Sequence, residues 1–89
     1  MASVLLLAVA VPTSAQAAQG SLYVNGRAYQ NPSGCLNISN EPGDLEIRNL
    51  LQGNVVTVWD GPNCTGDQTG EVGPGDGQDL YGASIKIEE

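Results

Sequence analysis

The side chains that most often carry acid–base, nucleophilic or metal chemistry are scarce in this chain of 89 residues. Histidine is absent and there are two cysteines, Cys35 and Cys64, although general acid–base catalysis, activation of a nucleophile and zinc binding most often recruit histidine. No serine has a visible base partner, and Lys86 falls on an outward position of an alternating, strand-like segment. The inventory predicts that the protein is not an enzyme and that it binds no cofactor.

Ten carboxylates remain as candidates for chemistry. A pair of carboxylates can hydrolyse a glycosidic bond, but a domain of this size offers little room for a substrate cleft. The carboxylates are scattered along the chain against three cations, which gives a net charge of −7. Such scatter is typical of a surface that keeps a protein soluble. It argues against nucleic acid and anionic membrane as partners, because both bind positively charged surfaces.

Residues 1–17 have the pattern of a secretory signal peptide. An apolar run over 4–11 precedes a short polar stretch and Ala15-Gln16-Ala17, which fits an A-x-A cleavage site. The run is shorter than the roughly 20 residues that a membrane-spanning helix needs, so no retained anchor is expected. We expect a start codon further upstream, because no lysine or arginine precedes the run. The alternative for this segment is a buried N-terminal helix or strand; the pattern favours a secreted protein with one mature domain over 18–89.

The two cysteines predict a disulfide. An even cysteine count in an exported protein indicates a bridge, and two cysteines allow only Cys35–Cys64. Closing a loop of about 30 residues contributes roughly 3 to 4 kcal/mol in the chain-entropy model, comparable to the net stability of a small domain. A metal site would need more cysteine or histidine ligands than the chain has. The bridge is therefore predicted to be essential and to join a loop over 31–35 to a loop over 61–66.

Short β-prone segments separated by Gly/Pro turns fill the mature domain. Asn25-Gly26, between Leu22-Tyr23-Val24 and Arg27-Ala28-Tyr29, is typical of a type I′ hairpin turn. Leu45, Ile47 and Asn49 alternate with charged residues, which predicts a half-buried strand, and Leu50 and Leu51 disturb this alternation.

The second half of the chain continues in the same way. Residues 55–59 are the most β-prone and are expected in the centre of a sheet. An extended run over 68–72 lies between loops over 61–66 and 73–77, and 83–87 closes the chain with Ile85 and Ile87 inward. The whole pattern predicts an all-β, single-domain sandwich or barrel.

Residues 55–89 resemble one Greek-key motif of the βγ-crystallin superfamily. In that family a strand bearing an aromatic residue leads into a turn with a glycine near its end, a Gly-Asp loop follows, and a strand of Ser-Ile-Lys-Val type closes the motif. Here Trp59 and Gly66 match the first part, and GPGDGQDL followed by ASIKI matches the last. The first half lacks this signature, but the chain is similar to small secreted actinobacterial proteins with an NPSGC segment and a later GPxCTG segment. The resemblance implies a Greek-key fold.

The same family binds calcium through a short run of Asn/Asp, Ser and Thr ligands just before the final strand. In this chain the run falls on residues 79–84, where Leu80 and Ala83 replace two of the oxygen donors that calcium requires. Calcium binding of the family type is therefore not expected. Asp76 and Asp79 are interpreted as turn formers, with loose binding of a cation left open.

A rigid exported domain without catalytic groups is expected to bind another protein, because preorganisation lowers the entropy cost of association. The candidate contacts are aromatic residues and residues of the loop around the second cysteine. They are Tyr23, Tyr29, Trp59, Pro62, Asn63 and Thr65. Within the resemblance, a proteinase inhibitor and a killer-toxin-like protein imply an inhibitor-like or toxin-like role. The alternatives are a small adaptor subunit of a secreted multi-protein toxin assembly and a structural cell-surface protein.

Overall fold

The computed structural model of the protein describes residues 16–89, and these residues form eight β-strands. The strands are β1 (Gly20–Val24), β2 (Arg27–Gln30), β3 (Cys35–Asn37), β4 (Gly43–Leu51), β5 (Val56–Trp59), β6 (Gln68–Val72), β7 (Gly77–Gly82) and β8 (Ser84–Ile87). A short 3₁₀ turn, Pro62–Cys64, follows β5. Residues 1–15, which hold most of the predicted signal peptide, lie outside the described residues. Within 16–89 no helix is long and apolar enough to cross a membrane.

The strands form two four-stranded antiparallel sheets, which confirms the all-β prediction. Sheet I has the order β2-β1-β4-β7, and sheet II has the order β3-β8-β5-β6. Each half of the chain has four strands. The first, second and fourth strands of a half lie in one sheet, and its third strand lies in the other sheet. The first half thus gives β3 to sheet II, and the second half gives β7 to sheet I. The two halves share one strand order.

The core lies between the two sheets and is built by alternation along the strands. In β4 every second residue from Leu45 onwards is buried, which places Asn49 and Leu51 on the inner face. The expectation that Leu50 and Leu51 disturb this alternation is wrong, because Leu50 points outward and Leu51 continues the inward series. From sheet II the core receives mainly β-branched residues. They are Val56, Val58, Val72, Ile85 and Ile87.

Asn49 is a polar residue in this apolar interior, and its side chain has no exposed surface. Its Nδ2 donates to the carbonyls of Asn54, at 2.8 Å, and Val72, at 3.0 Å. Its Oδ1 accepts from the Leu51 N–H at 2.9 Å. A buried amide is tolerated where every donor and acceptor is paired. Asn49 therefore joins sheet I to the end of β6 through hydrogen bonds in the core.

The predicted hairpin turn at Asn25-Gly26 is confirmed, because both residues have left-handed backbone. Asn25 and Gly26 have φ of 53° and 83°, as a type I′ hairpin between β1 and β2 requires. The strand predicted over 55–59 is β5, which lies inside sheet II between β8 and β6.

Residues 77–82 form β7, a strand that the sequence did not predict. Its pairing with β4 extends over six residues. A Cβ at Gly82 would lie 2.5 Å from Val58 Cγ1. Glycine at this position lets β7 approach the opposite sheet, so tertiary fit rather than β propensity fixes this strand.

The Cys35–Cys64 disulfide is confirmed, with a Cα–Cα distance of 6.1 Å. Cys35 begins β3, and Cys64 lies in the turn that follows β5. The bridge joins the first half of the chain to the second, as the spacing of the cysteines predicted.

Candidate functional site

The turn between β5 and β6 folds back over the outer face of sheet II. We name residues Asp60–Asp67 the pinned loop. Ser84, on β8, is buried, and it alternates with the core residue Ile85 and so faces outward toward this loop. Its Oγ accepts a hydrogen bond from the Cys64 N–H at 2.8 Å and donates one to the Gly61 carbonyl at 2.6 Å. The closing strand therefore holds the loop through a single hydroxyl.

Strand β3 holds the pinned loop from a second side. Cys35 forms the disulfide with Cys64, and two positions further along β3 the Asn37 side chain contacts Asn63. Asn37 Nδ2 donates to Asn63 Oδ1, and Asn37 Oδ1 accepts from the Asn63 N–H. Two consecutive loop residues are thus fixed to one short strand, one covalently and one by a pair of hydrogen bonds.

Hydrogen bonds within the pinned loop close it at its base. The Gly61 N–H donates to the Thr65 carbonyl at 3.0 Å. The Asp67 N–H donates to Asp60 Oδ1 at 2.9 Å, and the Asp60 N–H donates to the Asp67 carbonyl at 3.0 Å. Gly66 has φ of 83°, and a Cβ there would lie 2.2 Å from Asp60 Oδ1. Glycine fits this position, whereas any other side chain would displace the Asp60 carboxylate and strain the backbone.

The tip of the pinned loop carries unusual backbone geometry. Asn63 and Cys64 are consecutive non-glycine residues with φ of 56° and 57°. Asparagine tolerates this left-handed region, but a cysteine there is uncommon. Such conformations persist where the surroundings impose them, and they cluster at functional sites. The disulfide and the contacts of Asn37 and Ser84 supply that constraint here.

Four of the six predicted contact residues lie together around this loop. Pro62, Asn63 and Thr65 are exposed, and Trp59, the residue before the loop, is half-buried at the end of β5. Trp59 Nε1 donates to Thr57 Oγ1 at 3.0 Å, so the indole N–H is already paired. The Trp59 ring is therefore oriented by the protein itself.

The two predicted tyrosines lie elsewhere and on opposite faces of sheet I. Tyr23 is paired with Ala28 and Arg48 and faces outward. Tyr29 is paired with Leu22 and packs against the core, with the Arg27 guanidinium 5.2 Å from its ring centroid. The N-terminal hairpin therefore does not present both tyrosines on one surface.

A groove on the outer face of sheet I was not foreseen from the sequence. It has a volume of about 380 Å³ and is lined by Tyr23, Gly26, Glu46, Arg48 and Leu50. The alternation in β4 already placed Glu46 and Arg48 outward. The same alternation also places Leu50 on the outward face of β4. The groove as a whole depends on the pairing of β1 with β4, which is not visible in the sequence.

Residues 79–84, which were compared with a calcium-binding run in the sequence, are divided between different parts of the fold. Asp79 faces outward on sheet I opposite Glu46, whereas Leu80 packs against Gly70 and the core. Ser84 Oγ contacts the pinned loop. In the part of the chain from residue 16 onwards, no three His, Cys, Asp or Glu side chains are grouped so that they could hold a metal ion.

Comparisons of the chain with protein-family models, with curated proteins and with solved structures give no match. What the pinned loop can do follows from its geometry, which is a fixed backbone with exposed side chains at its tip. Such geometry suits recognition of a surface without rearrangement.

Proposed function

We propose that the chain is a secreted, non-catalytic protein-binding module that recognises another protein through the pinned loop. The observation that carries this proposal is that the tip of the loop is fixed from β3 and β8 while Pro62, Asn63 and Thr65 stay exposed. Because the backbone is ordered before binding, little conformational entropy remains to be lost in the complex. Trp59, the half-buried residue that directly precedes the loop in the chain, offers an aromatic side chain of the kind that dominates many interfaces.

We further propose that the domain consists of two Greek-key motifs of βγ-crystallin type. In a Greek key the fourth strand returns to lie beside the first, in the order 4-1-2-3. The positions of β4 beside β1 and of β8 beside β5, with the third strand of each half in the other sheet, support this proposal. The hydrogen bonds of Ser84 to the turn after Trp59 also support it, because they connect the two segments that carry the resemblance.

Secretion is supported by two features of the described residues. A disulfide in a small domain is typical of an oxidising compartment. Among residues 16–89 the core begins at Ala18, with 3% of its surface exposed, whereas Gln16 and Ala17 are exposed. Cleavage after Ala17 would leave Ala18 and the rest of the described core in the mature chain.

The proposed role is inhibitor-like or toxin-like, since both act by placing a rigid loop against another protein. The test is affinity capture from the culture medium of the native host, with the tagged protein as bait and mass spectrometry of the retained proteins. Pro62→Lys places a bulky cation at the loop tip, and Pro74→Lys makes the same change at an exposed proline in the 73–77 loop. We expect wild type and Pro74→Lys to retain the same protein in stoichiometric amount, and Pro62→Lys to retain about tenfold less.

The nature of the captured protein separates the two roles. A protease whose activity falls when the chain is added supports the inhibitor, and growth inhibition of neighbouring strains supports the toxin. Equal capture by Pro62→Lys and wild type would remove the loop from the interface. A monomer that captures nothing would overturn the proposed function.

A further inference from the structure

We propose that the outer face of sheet I is a second protein-binding surface and that its partner is a cationic, extended segment of another protein. We name the groove lined by Tyr23, Gly26, Glu46, Arg48 and Leu50 the sheet I groove. This surface goes beyond the proposed function of the pinned loop, because the loop covers the outer face of the other sheet.

The apolar part of this surface is formed by side chains that the fold leaves uncovered. Among residues 16–89, Leu50 and Tyr81 are the large hydrophobic residues classed as exposed, with 46% and 54% of their surface accessible. Both lie on the outward side of sheet I, Leu50 on β4 and Tyr81 on β7. One exposed leucine is ordinary on a protein surface. Here the two lie on one face with the half-buried Tyr23, so apolar contacts are available along that face.

The charged part of the surface is unbalanced. Glu46 and Asp79 are directly opposite each other across β4 and β7, and Asp44 is the next outward residue of β4. Like charges at directly opposed positions of a sheet destabilise it. Arg48 is the cation on this face, and its Cγ lies 3.5 Å from where a Gly77 Cβ would be. A cation brought by a partner to Glu46 and Asp79 would relieve their repulsion.

Charge decides between the possible occupants. A second copy of this chain brings a net charge of −7 of its own and is repelled. A cationic segment is attracted, and it also finds apolar contacts at Leu50. Glu46 and Leu50 are four residues apart on one strand, which is about 13 Å. The surface therefore fits an extended segment in which a lysine or arginine lies four residues from an apolar residue.

A protein with one binding surface on each outer face can join two partners. The sheet I groove thus gives the adaptor alternative a structural basis that the pinned loop alone does not supply. The two surfaces share no residue, so each can be removed without the other.

The test is a titration of the ¹⁵N-labelled protein, purified after expression of the full chain, with a synthetic peptide at low ionic strength. The peptide carries leucine and arginine four residues apart in a serine and threonine background, and its control carries glutamate in place of arginine. We expect the arginine peptide to shift amide resonances of β1, β4 and β7 with a Kd of about 1 mM, and the glutamate peptide to shift none. The variant Pro62→Lys should give the same shifts, so failure of this surface and failure of the pinned loop are separable.

Two double variants distinguish the surface from general attraction by net charge. Glu46→Gln with Asp79→Asn should weaken binding of the arginine peptide about threefold to tenfold. Glu41→Gln with Glu71→Gln removes the same charge from exposed positions away from the groove and should leave the Kd unchanged. The proposal would be overturned if both double variants weakened binding of the arginine peptide equally. It would also be overturned if both peptides shifted the amide resonances equally, or if saturating peptide shifted none. Shifts of the same amides that depend on protein concentration without peptide would assign the face to a second copy and would also overturn it.

Discussion

Replacement of Asn49 by leucine removes an amide that no candidate binding surface uses, yet it is expected to destabilise the whole domain. Leucine keeps the branching at Cγ but can neither donate nor accept a hydrogen bond. The change leaves the carbonyls of Asn54 and Val72 and the N–H of Leu51 without their side-chain partner. The backbone bonds of Asn49 to the 73–77 loop are untouched by the substitution.

The size of the effect follows from which of these groups can reach water. Val72 and Leu51 are buried, and each buried group left unpaired costs about 1 to 3 kcal/mol. Asn54 is only half-buried, so its carbonyl can turn to solvent. The additional apolar surface of leucine returns about 1 kcal/mol. We expect a net loss of about 3 kcal/mol, which lowers Tm by about 12 to 24 °C in a domain of this size.

The assay is equilibrium unfolding in urea followed by fluorescence of Trp59, the one tryptophan of the chain. Asn54→Ala is a matched control, because it removes one amide whose Nδ2 donates to the Glu88 carbonyl at 2.8 Å in a half-buried position. The control should lose about 1 kcal/mol. If the free energy of unfolding of Asn49→Leu lies within about 1 kcal/mol of the wild-type value, the buried hydrogen bonds of Asn49 do not stabilise the domain by the expected amount.

Three further predictions concern the bridge, the pinned loop and the N-terminus. Cys35→Ser should lower the free energy of unfolding by about 3 to 4 kcal/mol and abolish accumulation in the culture medium; undiminished secretion of a stable variant would show that the bridge is dispensable. Gly66→Ala should cost about 2 to 3 kcal/mol in thermal unfolding, because its Cβ would meet Asp60, whereas Gly75→Ala, with φ of 89° but open space around it, should cost about 1 kcal/mol; equal losses would mean that the loop is not tightly packed. A chain that begins at residue 20 should be about 2 kcal/mol less stable than one that begins at residue 18, because residues 18–19 make two backbone hydrogen bonds and bury an alanine methyl group; identical urea midpoints would contradict this.

Local features of the fold were predictable because the residues that fix them are adjacent. The Asn25-Gly26 turn and the alternation in β4 depend on backbone preferences and side-chain period, and both are confirmed. The disulfide followed from counting cysteines. Strand β7 could not be predicted, because its β propensity is weak and its position depends on pairing with β4 and on the fit of Gly82.

In the candidate site, too, features fixed by neighbouring residues were predictable, and features that depend on distant strands were not. The pinned loop was anticipated because proline, asparagine, cysteine and glycine are concentrated there, but its attachment to Ser84 required the pairing of distant strands. The placement of the two tyrosines was available in the sequence and was missed. A two-residue hairpin turn fixes the register, so Tyr29 pairs with Leu22 and faces away from Tyr23.

The exchange of third strands between the halves has a consequence for cleavage of the chain. A protease that cuts the exposed turn at Gln52-Gly53 would divide the chain into two fragments, neither of which contains all four strands of a sheet. The fragments would still complete each other's sheets. Since Cys35 lies before the cut and Cys64 after it, the disulfide would also keep them in one covalent molecule. A chain cut there should therefore stay folded, and its two fragments should separate only after the disulfide is reduced.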